Sequence, residues 1–84
     1  MVTVEFTPEA GEQFDRLPRA IKVRMEKLRT RLTRWPDVSG VKALSGNLAG
    51  WYRVRTGDYR MRFRFHEGKI IVDKIGHRSE FYED

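Results

Sequence analysis

The sequence predicts an α+β fold of order β-α-α-β-β-β: a small, twisted, mainly antiparallel four-stranded sheet with a two-helix hairpin packed on one face. Three observations predict it. Apolar residues recur at steps of four, three, four and three from Ile21 to Trp35, the period of an amphipathic helix. They alternate with polar residues at a step of two in residues 2–6, 51–55 and 59–65, the period of half-buried strands. The chain has 84 residues, which leaves one hydrophobic core for all of these elements, so residues 1–84 are read as a single domain.

In the first segment Val2, Val4 and Phe6 share one side and Thr3 and Glu5 the other, which suits a strand and lacks the charged-then-apolar layout of a signal peptide. Thr7 then offers an N-cap hydroxyl, Pro8 fits the first helical position and Glu9 complements the helix dipole. A helix therefore starts at once, with Ala10, Phe14 and Leu17 as its apolar stripe. Pro18 interrupts it. The second helix carries Ile21, Met25, Leu28, Leu32 and Trp35 and ends at Trp35-Pro36-Asp37, because the residue before a proline is pushed out of the helical region. Two short helices meeting at Pro18 form a helical hairpin. Lys22, Arg24, Lys27, Arg29, Arg31 and Arg34, offset by Glu26, read as the solvated outer face of the second helix, with an RNA-binding surface as the alternative. Residues 38–50 combine Gly40, Gly46, Gly50, Ser39, Ser45 and Asn47 with Val41, Leu44 and Leu48, the composition of a loop with a few anchoring contacts.

Three strands follow. In residues 51–55, Tyr52 and Val54 share one face and Trp51, Arg53 and Arg55 the other. Thr56-Gly57-Asp58 makes a tight turn. In residues 59–65, Tyr59, Met61, Phe63 and Phe65 form an apolar row backed by Arg60, Arg62 and Arg64. After a turn at His66-Glu67-Gly68-Lys69, residues 70–75 are largely apolar on both faces, which marks a central strand.

Seventeen Lys and Arg against twelve Asp and Glu give a net charge of +5 and a pI near 10.0, a balance that favours nucleic acid or an acidic protein as partner. With no cysteine there is neither a disulfide framework nor a thiolate metal site, so the cytoplasm is the expected compartment, and no apolar run is long enough to cross a membrane.

The arrangement of charge says more than its total. Placing the two arginine-bearing strands side by side puts Arg53, Arg55, Arg60, Arg62 and Arg64 on one sheet surface, with Asp58 as the only acid nearby. Edge protection against aggregation accounts for one or two arginines. Five from adjacent short strands concentrate like charge at a cost in stability, which argues for a bound phosphate chain, and Trp51 is placed to stack a base. The last strand runs into Gly76-His77-Arg78-Ser79-Glu80-Phe81-Tyr82, which brings an imidazole, a fixed cation and a phenol together. Taken alone, a histidine at a strand end is ordinarily a surface residue, and Tyr82 is equally a packing anchor.

These residues resemble the RelE/ParE superfamily of toxins from toxin-antitoxin systems, over nearly the whole chain. The resemblance is carried by Val4-Glu5-Phe6-Thr7-Pro8-Glu9-Ala10, by the stretch from Leu44 to Arg55, by Gly57-Asp58-Tyr59-Arg60-Met61-Arg62-Phe63 and by the ending from Gly76 to Tyr82. It implies a RelE-like fold and an endoribonuclease of the mRNA interferase type. Such an enzyme cuts messenger RNA in the ribosomal A site by attack of the ribose 2′-hydroxyl, inhibiting translation with no metal and no cofactor. The implied partners are a cognate acidic antitoxin, messenger RNA and the ribosome, and operator DNA through the antitoxin complex, with no membrane.

By the same resemblance the catalytic set falls on Arg53, Arg55, Arg60, Arg78 and Tyr82. Arginine binds phosphate oxygens bidentately and stays charged, so Arg53 and Arg60 are expected to stabilise the phosphorane and Arg55 to position the substrate. Arg78 is expected to clamp the scissile phosphate or assist the leaving group, and Trp51, Arg55, Arg62 and Arg64 to hold the RNA. In the best-known RelE the first basic pair is lysine, which accepts protons as arginine does not. Proton transfer is accordingly assigned to His77, imidazole being the side-chain type suited to general acid-base work, assisted by Tyr82. Two other functions fit the same sequence: a ParE-like inhibitor of DNA gyrase on the same fold, and a non-catalytic nucleic-acid-binding module using the arginines for phosphate contacts.

Overall fold

In the computed structural model, which describes residues 1–81, five strands form one mixed sheet in the order β1-β5-β4-β3-β2. They are β1 (Thr3–Phe6), β2 (Lys42–Ala43), β3 (Trp51–Thr56), β4 (Tyr59–His66) and β5 (Lys69–His77), with α1 (Pro8–Asp15) and α2 (Arg19–Leu32) between β1 and β2. The order β-α-α-β-β-β is as expected for the longer elements, but the four-stranded sheet is corrected to five. The added strand, β2, lies inside residues 38–50, which read as loop. Two residues among glycines and serines leave no period-two signal, and β2 exists because Lys42 and Ala43 pair with Arg53 and Tyr52. β1 runs parallel to β5, whereas the other pairs are antiparallel.

The first helix starts as its sequence dictates: Thr7 Oγ1 accepts from the Ala10 N–H at 3.1 Å, and Pro8 opens the helix. The second ends earlier than the apolar repeat suggests. Beyond Leu32 the backbone tightens into i to i+3 bonds, Thr33 N–H to the Thr30 carbonyl, Arg34 to Arg31 and Trp35 to Leu32. This is the way a helix terminus approaching a restricted pre-proline residue satisfies its carbonyls. Trp35 still reaches the core side, edge-on to Tyr52 at 4.8 Å and to Phe63 at 5.3 Å.

The helices cover one face of the sheet. Met25, Leu32, Met61, Phe63, Ile70 and Val72 are fully buried between the layers, joined by Val4, Ala10, Leu28, Val54 and Ile75. The apolar row of β4 stops short of its expected length, because Phe65 is 45% exposed although its partner Ile70 on β5 is fully buried. β5 is central, as read, lying between β1 and β4. Its turn from β4 has positive φ at both Glu67 (50°) and Gly68 (79°), the requirement of a two-residue hairpin turn. Among the described residues no helix is long and apolar enough to cross a membrane.

Candidate nucleic-acid interface

The face of the sheet away from the helices is built by register. Directly opposed residues in neighbouring strands project to the same side. Lys42 opposes Arg53, Arg53 opposes Arg62, and Arg62 opposes Lys74, so one row crosses β2, β3, β4 and β5 with a cation at every position. The next row toward the Gly57 turn pairs Arg55 with Arg60 and Arg60 with Gly76. The row on the other side pairs Trp51 with Arg64. The five arginines and Trp51 thus share a surface as expected, and Lys42 and Lys74 extend it. Sequence reasoning missed these two lysines, one inside the apparent loop and one displaced in register.

That displacement comes from a bulge. Phe63 opposes Val72 while Arg62 opposes Lys74, which leaves Asp73 as the extra residue of β5. Without it, Lys74 would continue the inward row of Ile70 and Val72; with it, Ile75 turns inward and is buried. Asp73 is thereby brought against Arg62, accepting from Nε at 2.9 Å and from Nη2 at 2.8 Å. Asp58 is therefore not the only acid beside the arginines. An acid within an otherwise apolar strand was the available signal for this bulge.

The bidentate pair is about one-fifth exposed on each side, so it fixes the plane of the Arg62 guanidinium and neutralises the centre of the row. Asp73→Ala is expected to lower stability by about 1–3 kcal/mol, through the charge and donors left behind on Arg62. Urea denaturation checks this, and an unchanged midpoint would mean the pair contributes nothing net. Both Arg62 and Arg64 place their guanidinium carbons 5.4 Å from the centre of the Trp51 ring, assembling a half-buried indole with two cations.

The remaining predicted residues divide. Arg78 sits in a 3₁₀ turn, Arg78–Glu80, docked on the β3–β4 hairpin: its N–H donates to the Asp58 carbonyl at 2.7 Å and its Nε lies 3.9 Å from Asp58 Oδ1. It stands at the end of the sheet that carries Arg55 and Arg60. His77 does not join them. It opposes Tyr59 on the helix side, with the two rings edge-on at 5.5 Å, and lines a cleft of about 240 Å³ with Gln13, Arg16 and Leu17. Its Nδ1 accepts the Ser79 N–H at 3.1 Å and lies 2.9 Å from Ser79 Oγ. The alternation of β5 puts Gly76 on the arginine side and His77 across the sheet. Tyr82 lies outside the described residues.

The basic residues of α2 behave largely as an outer face. Arg29 folds over the Phe6 ring at 4.9 Å, and Arg31 donates to the Ser39 carbonyl at 2.8 Å.

The model of the ParE toxin of type II toxin-antitoxin systems matches residues 4–82. The chain belongs to the ParE toxin family. No curated protein sequence matches it. Among solved structures, the toxin-antitoxin complex RelBE2 from Mycobacterium tuberculosis is similar at a TM-score of 0.81 and 29% identity, over 92% of this chain and 98% of that one. The archaeal RelE-RelB complex from Pyrococcus horikoshii OT3 is similar at 0.73 and 25% identity, over 92% and 94%. The isolated E. coli RelE toxin shares the fold at 0.76 with 15% identity, over 92% and 84%. The chain is thus a type II toxin with a RelE-like fold, and the open face, with its rows of cations, is the surface that this ParE-family member presents away from its helices.

Proposed function

We propose that this toxin is an endoribonuclease that cleaves messenger RNA through attack of the ribose 2′-hydroxyl on the adjacent phosphate, on the ribosome and without metal, and so inhibits translation. The observation that carries the reading is the pair of cationic rows on the open face. Like charges directly opposed across strands are destabilising, so a surface built from them is selected for what it binds. Arg53 and Arg60 stabilise the negative phosphorane, Arg55 positions the chain, and Arg78, at the same end of the sheet, holds the scissile phosphate. Trp51 stacks a base, and Arg64 contacts the backbone on that side. Arg62, fixed by Asp73, supports the indole more than it binds phosphate. His77 is left out of this set because its ring lies across the sheet.

The partner is a cognate acidic antitoxin, in keeping with the toxin-antitoxin complexes among the similar structures, and the complex meets operator DNA mainly through the antitoxin. Inducing the wild type and Arg78→Ala in cells and mapping the 5′ ends of messenger RNA tests the reading. New ends are expected with the wild type and a strong loss of them with the variant. A second reading, inhibition of DNA gyrase, is favoured by the family model itself. Supercoiling and in vitro translation assays on one preparation separate the two: loss of supercoiling with intact messenger supports gyrase and removes the nuclease.

A further inference from the structure

Resting on the nuclease reading, we infer that Glu80 is the proton acceptor of the cleavage reaction. The reaction needs a group to take the 2′-hydroxyl proton, and arginine does not serve as one. Four carboxylates of the described residues lie on or beside the open face. Glu5 is at the far edge with Lys69 at 3.4 Å, Asp73 is held by Arg62, and Asp58 faces Arg78. Glu80 differs in its place and in its support.

A Cβ added to Gly76, which projects to the arginine side opposite Arg60, would stand 2.6 Å from Glu80 Oε1. The carboxylate therefore lies against Gly76, whose cross-strand partner is Arg60, at the end of the sheet whose strands carry Arg55 and Arg60. It is held there from several sides. Oε1 accepts the His77 N–H at 3.0 Å, completing a capping box on the 3₁₀ turn. Lys74 Nζ donates to the Glu80 carbonyl and covers the Phe81 ring at 4.6 Å, and Phe81 is buried beside Gly76.

One oxygen is thus engaged in placing the group, and the second is the one assigned to the 2′-hydroxyl. In the step proposed, the proton of the 2′-hydroxyl passes to Glu80 as the 2′-oxygen bonds to phosphorus. The bond from phosphorus to the 5′-oxygen breaks, and that oxygen takes a proton from water, leaving a 2′,3′-cyclic phosphate and a 5′-hydroxyl. The charged and titratable groups around Glu80 are His77 and Lys74 of β5, Arg78 of its own turn, Arg60 of β4 as the cross-strand partner of Gly76, and Arg16 and Tyr59, which line with Glu80, Gly76 and His77 the cleft at the edge of β5.

The capping box makes the test clean, because glutamine fills the same capping position as glutamate but accepts no proton. Glu80→Gln is expected to keep the wild-type thermal midpoint and to cut messenger on programmed ribosomes about 10²- to 10⁴-fold more slowly in single turnover. Gly76→Ala is a second probe: the added methyl meets the flexible end of Glu80 and displaces it, so a large loss of rate with little loss of fold is expected. If Glu80→Gln does not fold, Glu80→Ala assayed with added formate decides, recovery with formate concentration supporting the role and none overturning it. A Glu80→Gln enzyme within threefold of wild type overturns the inference while the nuclease stands. A wild type that cuts nothing overturns the nuclease reading itself.

Discussion

Replacing Arg60 with alanine is expected to slow messenger cleavage by about 10²- to 10³-fold in single turnover, the scale of losing one preorganised donor to a developing anion. Arg60 is half-buried in the middle of the row between Arg55 and Gly76, on the side of the sheet away from the helices. A fixed fork of donors stabilises the phosphorane without reorganising as the charge develops. Arg60→Lys should recover only part of the rate, because an ammonium keeps the charge but loses the bidentate geometry. The thermal midpoint measured in parallel separates lost chemistry from lost fold. Near-wild-type toxicity of both Arg60→Ala and Arg78→Ala would remove the enzyme reading.

Phe63→Ala is expected to cost about 3–5 kcal/mol, the range for removing a fully buried aromatic ring. Phe63 is 0% exposed, edge-on to Trp35 at 5.3 Å and stacked on Tyr52 at 5.6 Å, so its removal opens a cavity where α2's C-terminal turn meets β3 and β4. A chain of 84 residues has a total stability of roughly 4–13 kcal/mol at typical values per residue. The variant should therefore be close to unfolding at growth temperature. Urea denaturation measures the loss, and a change below about 1 kcal/mol would show that the aromatic cluster repacks without strain. The same variant should lose toxicity through abundance and not through chemistry, since Phe63 projects away from the arginine face.

The course of the backbone was largely legible because its signals are local. The Thr7-Pro8-Glu9 helix start, the four-three repeat of α2, the alternation in β3 and β4 and the Gly57 and Gly68 turns each lie within a few residues. What escaped reading depends on partners distant in the chain. β2 is two residues long and is defined by its pairing with β3. The exposure of Phe65, whose partner Ile70 is fully buried, likewise depends on what packs over each strand.

The candidate site divides in the same way. Period-two alternation by itself determined that Arg53, Arg55, Arg60, Arg62 and Arg64 leave the core on one side, because the apolar residues between them must be buried. Tertiary structure alone decided the registers that align Lys42, Arg53, Arg62 and Lys74, and the bulge that delivers Asp73 to Arg62. Through that bulge it also decided which of the two faces each takes, Gly76 the arginine side and His77 the helix side, at the point where Glu80 folds back. The physical reason is that alternation sets which residues share a side within one strand, whereas a single extra residue in a neighbouring strand shifts every opposition beyond it.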